Sequence, residues 1–247
     1  MLTTYKTRLS SKTQLTETVC LFHFDLIDPK EFSFIPGQYM ILLVPQENGE
    51  TARRLYSIFS SVTKKTGFDL LVEHVPGGVA SEYLKRITVD QEVEFQGPAG
   101  MFKLHETPRD KVFLATGTGI APMVSILDQC QIAHLKSQIY LFWGMRYFKE
   151  IYYFNELKKI SEANPRFQFV ICLSREENLA ALPEDDKNYF FLGHINNALE
   201  QKIADLKSQI SNFDYYLCGG RNMVELIKEQ HLYEKGVPRD QVFFEKF

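Results

Sequence analysis

Three short stretches carry most of the chemistry legible in the chain: Arg54-Leu-Tyr-Ser57, Val75-Pro-Gly-Gly-Val-Ala-Ser81 and Gly117-Thr-Gly-Ile-Ala-Pro122. In the first, a guanidinium, an aromatic ring and a hydroxyl stand at i, i+2 and i+3. They offer a phosphate partner, a stacking plane and a hydrogen-bond donor. On a strand, Arg54 and Tyr56 fall on one face and address one ligand from the same side. The other two stretches are glycine turns that lead into helices. Free N–H groups at a helix start suit an anion, and Gly117 and Gly119 let a ligand approach the backbone closely. Pro122 stands where the usual dinucleotide fingerprint has its third glycine, so the ordinary pattern fails, although proline suits a first helical turn. Taken singly, each stretch could equally be a plain strand or turn without a ligand.

The elements that must position these groups follow two grammars. Up to about residue 105, short apolar or alternating runs (18–26, 38–44, 68–75, 92–96) are broken by Pro36-Gly37, Asn48-Gly49 and Pro76-Gly77-Gly78. That spacing predicts a small antiparallel barrel or sandwich, with one helix over 81–87 that Ser81 would cap. After Pro108, apolar strands at 112–115, 139–143, 167–173, 214–218 and 242–247 alternate with helices at 122–135, 150–163, 198–210 and 222–233. Such alternation predicts a doubly wound parallel sheet covered on both faces. The change of pattern places a domain boundary at 105/106.

Composition limits the function classes. Among 247 residues, 28 Lys and Arg against 31 Asp and Glu give a net charge of −3. Nucleic-acid binding, which favours a basic excess, is not expected. No apolar run is long enough to span a bilayer, and the first residues lack the apolar block of a secretory leader, so a cytoplasmic protein is expected. Cys20, Cys130, Cys172 and Cys218 are isolated from one another. No paired spacing supports a zinc ribbon or iron–sulfur loop, and Cys20, Cys172 and Cys218, in apolar runs, read as reduced core thiols. The six histidines (23, 74, 105, 134, 194 and 231) are scattered and read as surface or core residues rather than catalysts.

Six motifs together say more. Arg54–Ser57, Val75–Ser81, Gly97-Pro-Ala-Gly-Met-Phe102, Gly117–Pro122, Phe142-Trp-Gly-Met-Arg146 and Cys218-Gly-Gly-Arg-Asn-Met223 occur in this order. In that order the sequence resembles ferredoxin–NADP reductase-like flavoenzymes, including stand-alone bacterial reductases and the flavin–nicotinamide portion of oxygenase reductases. The resemblance implies an antiparallel Greek-key β-barrel for FAD over 1–105 and an α/β doubly wound NAD(P)H domain over 106–247. Tyr56 would pack on the isoalloxazine and Ser57 would lie near its N5 edge. Arg54 and the Gly77, Gly78, Val79, Ala80 and Ser81 turn would hold the FAD pyrophosphate, with Leu55, Leu71 and Thr116 also in the FAD set. Gly117, Thr118, Gly119 and Gly219 would admit the nicotinamide dinucleotide. Cys218 would stand beside the nicotinamide, the alternative being a buried strand thiol. Glu245 and Phe247 would approach the flavin, Glu245 as a catalytic group.

Ser174 and Arg175 end the third strand of the second half, where a hydroxyl and a guanidinium suit a 2′-phosphate, and Arg146 could add a second positive charge. NADPH is therefore expected over NADH, although Glu176 and Glu177 could neutralise Arg175. The resemblance implies hydride transfer from NADPH to FAD and single-electron delivery to ferredoxin or flavodoxin by a monomer. The alternatives are an oxygenase reductase subunit, a diaphorase or flavin reductase, or a non-catalytic flavin- or nucleotide-sensing subunit. Arg53, Lys64, Lys65, Lys85 and Arg86 could form a local docking patch, or simply ordinary solvated loops.

Overall fold

The computed structural model describes residues 2–132 and 136–247. The last residues of the helix expected over 122–135, with His134, lie outside the described residues. The chain forms two compact units. The first contains the residues up to His105 and takes in a later helix from Ala121 onward.

The first unit has six strands: β1 (Thr3–Gln14), β2 (Val19–Asp28), β3 (Tyr39–Pro45), β4 (Thr51–Ser57), β5 (Gly67–Glu73) and β6 (Glu92–Ala99). They form one antiparallel sheet in the order β4-β3-β6-β1-β2-β5. A bridge between Ile58, just past β4, and Leu70 of β5 joins the two edges and curls the sheet into a barrel-like shape. Strand alternation builds its interior: Met40, Leu42 and Val44 turn inward from β3, and Phe68, Leu70 and Val72 from β5. The Phe24 and Phe68 rings each pack against Phe95, with centroids 4.9 and 5.0 Å away. Helix α1 (Val79–Arg86) adds Ala80 and Leu84 to the same core. Lys12 Nζ donates to the Leu84 and Lys85 carbonyls at 3.0 and 2.7 Å, a cation where the helix dipole favours one.

Helix α2 (Ile120–Ile132) joins this unit through Ser125 Oγ, which donates to the Ser60 carbonyl at 3.2 Å. Ser61 Oγ also donates to Asp128 Oδ2 at 2.5 Å.

In the second unit β7 (Asp110–Thr116), β8 (Ile139–Met145), β9 (Phe167–Leu173), β10 (Phe190–Leu192), β11 (Phe213–Gly219) and β12 (Val242–Lys246) make a wholly parallel sheet. The order is β10-β9-β8-β7-β11-β12. The connections run outward from β7 to β10 and then return to β11 on β7's other side. That reversal opens a crevice at the carboxyl ends of β7 and β11, where open α/β sheets bind ligands. Val112, Leu114, Phe142, Tyr215 and Leu217 face one layer, shared with α4 (Ile195–Asp205) and α5 (Arg221–Leu226). Their strand neighbours Phe113, Ala115, Trp143, Tyr216 and Cys218 are buried on the other face.

Several element bounds differ from the sequence expectation for identifiable reasons. Ser81 lies inside α1, which starts at Val79 and has no side-chain cap. Helix α3 runs Phe154–Ala163 rather than from 150, because Glu150 closes a 3₁₀ turn over Phe148–Glu150 by accepting the Arg146 and Tyr147 N–H groups. Helix α4 starts earlier and ends sooner than the expected 198–210. Strand β10 has only three residues, too few for a visible alternation. Helix α5 passes into a π-helical stretch, Ile227–Tyr233, that no periodicity announced. Among the described residues, no helix is long and apolar enough to cross a membrane.

Candidate functional site

The antiparallel unit presents its candidate groups along β4 and at the start of α1. Tyr56 pairs with Met40 and Arg54 with Leu42, so ring and guanidinium share one face, as the i, i+2 spacing requires. Tyr56 is half-buried against the core, and burial pushes its hydroxyl up to about 12, with Arg54 pulling slightly the other way. Tyr56 is therefore a neutral plane suited to stacking rather than a base. Arg54 is exposed, and among the described residues its guanidinium donates only to the Arg53 carbonyl, at 2.9 Å. Leu55 points to the opposite face and is 56% exposed, Ser57 is half-buried opposite Tyr39, and Leu71 is buried on β5.

The turn before α1 is held by Ser81. Its hydroxyl donates to the Val75 carbonyl at 2.7 Å and accepts the Val75 N–H at 3.2 Å. Gly77 adopts φ +73°, with open space where a side chain would begin. Its N–H donates to Glu82 Oε1 at 3.3 Å. Helix α1 opens at Gly78 without a side-chain cap, leaving its first N–H groups for an anion. Beside this turn, His74 Nδ1 is buried with no hydrogen-bond partner among the described residues, on a histidine that the sequence reads only as a surface or core residue. An open glycine, an uncapped helix start and an orphaned ring nitrogen together fit a pyrophosphate.

In the parallel unit, register aligns residues from three strands. Ala115, Cys218 and Glu245 pair in sequence across β7, β11 and β12, so they form one row on one face. Burial pushes the Cys218 thiol well above its ordinary range, and the nearby Glu245 carboxylate adds to the effect. Cys218 is accordingly an un-ionised thiol. Burial also raises the Glu245 carboxyl, to about 7.

The crevice itself is set by backbone contact. A side chain on Gly119 would begin 2.2 Å from the Cys218 carbonyl oxygen, and one on Gly219 would begin 2.2 Å from Thr116 Oγ1. Gly117 has φ +52°, and its carbonyl accepts the Trp143 indole N–H at 3.0 Å. That bond fixes the turn carrying Thr118; its sequence signal was the chain's single tryptophan within the Phe142–Arg146 motif. Phe247 is 66% exposed, but its backbone is anchored: its N–H donates to the Gly219 carbonyl at 3.2 Å, and its carbonyl accepts the Arg221 N–H at 3.1 Å.

Two further strand ends lie side by side. Ser174 N–H donates to the Met145 carbonyl and Arg175 N–H to the Arg146 carbonyl, each at 3.0 Å. Ser174 Oγ also donates to the Met145 carbonyl, at 3.2 Å. Both arginine side chains are exposed, and neither has an ion pair among the described residues. Glu176, one of the two carboxylates expected to neutralise Arg175, instead accepts the Phe148 N–H at 2.8 Å.

Two other expectations need correction. Cys20 is not fully buried: it shares the face of Phe22 and Phe24 and packs against their core, but it lies near the start of β2 opposite Gln14, where it is half-exposed and donates to Gln14 Oε1 at 2.8 Å. Lys64 is not a free docking charge, because its ammonium is paired with the Asp69 carboxylate at 3.2 Å.

A curled antiparallel sheet with an anion turn, followed by a parallel sheet with a nucleotide crevice, defines a flavin- and pyridine-nucleotide-dependent oxidoreductase. Residues 6–104 match the oxidoreductase FAD-binding domain, and residues 113–229 match the oxidoreductase NAD-binding domain. The chain belongs to the ferredoxin–NADP reductase-like family of flavoproteins. It is 30% identical over 244 residues to ferredoxin–NADP reductase B of Sorangium cellulosum, covering 98% of this chain and 97% of that one. It is 28% identical to the toluate 1,2-dioxygenase electron transfer component of Pseudomonas putida, over 98% of this chain and 67% of that protein. The Amycolatopsis cytochrome P450 reductase GcoB superposes with a TM-score of 0.85 at 26% identity, over 100% of this chain and 70% of that one.

Proposed function

We propose that this protein is an NADPH-dependent reductase that passes electrons through FAD to a separate ferredoxin or flavodoxin, acting as a cytoplasmic monomer. Its flavin domain is residues 1–105 and its nucleotide domain residues 106–247. When bound, FAD supplies the chemistry, because a flavin can accept two electrons together and release them singly. The chain's own residues supply binding and alignment. Tyr56 offers the isoalloxazine a neutral stacking plane, and Ser57 a hydroxyl near the N5 edge. Arg54 and the Gly77–Ser81 turn hold the pyrophosphate, with Leu55, Leu71, Thr116 and Phe247 completing the FAD set. Gly117, Thr118, Gly119 and Gly219 receive the dinucleotide at the β7/β11 crevice. Cys218 contributes an uncharged thiol beside the nicotinamide, and Glu245 a carboxyl that can hold or release a proton near neutral pH.

The observation that carries the NADPH reading is the unpaired couple Arg146 and Arg175 at adjacent strand ends, with Ser174 beside them. A guanidinium pair of this kind suits a dianionic 2′-phosphate. The protein-carrier reading is supported by the nearly full-length match to the Sorangium reductase. The matches to the toluate dioxygenase component and the P450 reductase favour a second reading, in which the chain serves an oxygenase.

The test is anaerobic reduction of the flavin by NADPH or NADH, followed by electron delivery to a panel of ferredoxins, flavodoxins and free flavins. Rapid reduction of a protein carrier is expected. Turnover confined to free flavin would reject the first reading. Arg175→Ala should lower the NADPH-to-NADH ratio of kcat/KM by about tenfold, the scale of one lost charge-assisted contact. An unchanged ratio would reject the NADPH assignment.

A further inference from the structure

Parallel strands usually part once they leave the sheet, yet the chains after β8 and β9 stay laced beyond their last paired residues. Ser174 and Arg175 donate their N–H groups to Met145 and Arg146, so the backbones of the two arginines are direct neighbours. One more bond closes the arrangement, from the Phe148 N–H to Glu176 Oε1 at 2.8 Å. Its donor is well anchored. The Phe148 ring packs edge-on against Phe190, with centroids 6.0 Å apart, and the Phe148–Glu150 turn is braced by the Glu150 carboxylate.

We propose that Glu176 is a positioning residue for 2′-phosphate recognition, tying the loop after β9 to the loop after β8 so that Arg146 and Arg175 act as one anion-binding pair. The inference rests on the NADPH reading above. A carboxylate beside an arginine would ordinarily oppose phosphate binding by its charge. Here one of its oxygens is engaged by a backbone donor, and its geometric effect runs against its electrostatic one. Glu177 provides the contrast, since it is exposed and forms no ion pair among the described residues. Removing Glu177 removes charge alone. Removing Glu176 removes the same charge and also releases Phe148.

These opposed signs make the proposal testable by calorimetric binding of 2′,5′-ADP and 5′-AMP to the FAD-loaded protein. The wild type should prefer 2′,5′-ADP. Glu177→Ala should bind it at least as tightly as the wild type. Glu176→Ala should bind it about fivefold to tenfold more weakly, the scale of one lost charge-assisted hydrogen bond, with little change for 5′-AMP. Glu176→Gln, which keeps an acceptor oxygen at the same reach, should restore binding. Glu176→Asp keeps the charge but falls short of Phe148, so it should bind weakly even if the alanine variant folds poorly. In turnover, Glu176→Asp should raise KM for NADPH far more than it lowers kcat.

Equal or tighter 2′,5′-ADP binding by Glu176→Ala than by Glu177→Ala, or wild-type binding by Glu176→Asp, would overturn the positioning role while leaving the NADPH reading intact. A wild type that does not distinguish 2′,5′-ADP from 5′-AMP would overturn both.

Discussion

In the antiparallel unit, Arg54, Tyr56 and Ser57 lie on one strand, and the Val75–Ser81 turn closes on itself through a single serine. In the parallel unit, Ala115, Cys218 and Glu245 come from three strands and meet only because β7, β11 and β12 lie side by side in register. The first arrangement is local and tolerates small shifts. The second depends on how tightly two strand ends approach, and on whatever holds their far ends in place.

At those far ends Lys111 and Asp214, both with fully buried side chains, form an ion pair at 2.7 Å. Arg109 Nε donates to Asp214 Oδ1 at 2.6 Å, and Thr107 Oγ1 donates to Oδ2. Burial pushes the Asp214 carboxyl up, but the bonds from Lys111, Thr107 and Arg109 more than offset this and hold it below the usual range. Breaking such a pair strands the remaining charge, which costs about 3–5 kcal/mol. Asp214→Ala should therefore produce the largest loss of stability, read as a lowered denaturation midpoint. The double variant Lys111→Met, Asp214→Leu should recover much of it. In the antiparallel unit, His23→Gln leaves Asp69 still paired with Lys64, so no charge is stranded and the loss should be smaller, about 1 kcal/mol. Comparable losses from both sites would remove the contrast between the units.

A smaller effect separates the two glycine turns. Alanine at Gly119 drives a methyl group into the Cys218 backbone carbonyl, and should cost about 3 kcal/mol and sharply slow flavin reduction by the pyridine nucleotide. Alanine at Gly77 meets nothing within 4 Å and bears only the strain of φ +73°, about 1 kcal/mol. Denaturation and flavin-reduction rates of both variants measure the difference. A Gly77→Ala variant as damaged as Gly119→Ala would show that the turn before α1 is as tightly packed as the crevice at β7 and β11.

Legibility in the sequence follows the same division. The pairing of Arg54 with Tyr56 could be read directly, because strand alternation is a local rule. The parallel sheet could be read from its apolar runs, and β9 appears over Phe167–Leu173 as its run of apolar residues predicts. The Ala115–Cys218–Glu245 row could not be read, since nothing local sets the register between distant strands. The contact of Glu176 is illegible for a related reason. Its nearest charge in sequence is Arg175, but its partner is a backbone N–H on another strand's loop. Ser81 looked like a cap because it precedes a helical run, whereas its hydroxyl closes the turn before the helix instead.

The smallest expected effect concerns pH, and it again separates the units by mechanism. His23 is raised above its usual value chiefly by its hydrogen bond to Asp69 at 2.6 Å, against burial, with further help from the Asp69 and Asp25 carboxylates. Its folded form holds the proton more tightly than the unfolded chain does. The resulting stability is complete below about pH 6.5 and is lost as pH rises through the higher folded value. Glu245 is raised from 4.5 to about 7 by burial. The folded state again prefers the proton, so stability declines as pH rises from about 4.5 and the loss is complete somewhat above 7. The two contributions share a sign but not a cause: an ion pair is screened by salt, and burial is not. Between pH 5 and 8 the denaturation midpoint should fall. High salt or His23→Gln should flatten the upper part of that fall, and Glu245→Gln should flatten the lower part at any salt concentration. A salt-sensitive Glu245 contribution would mean that charges rather than burial set its proton affinity.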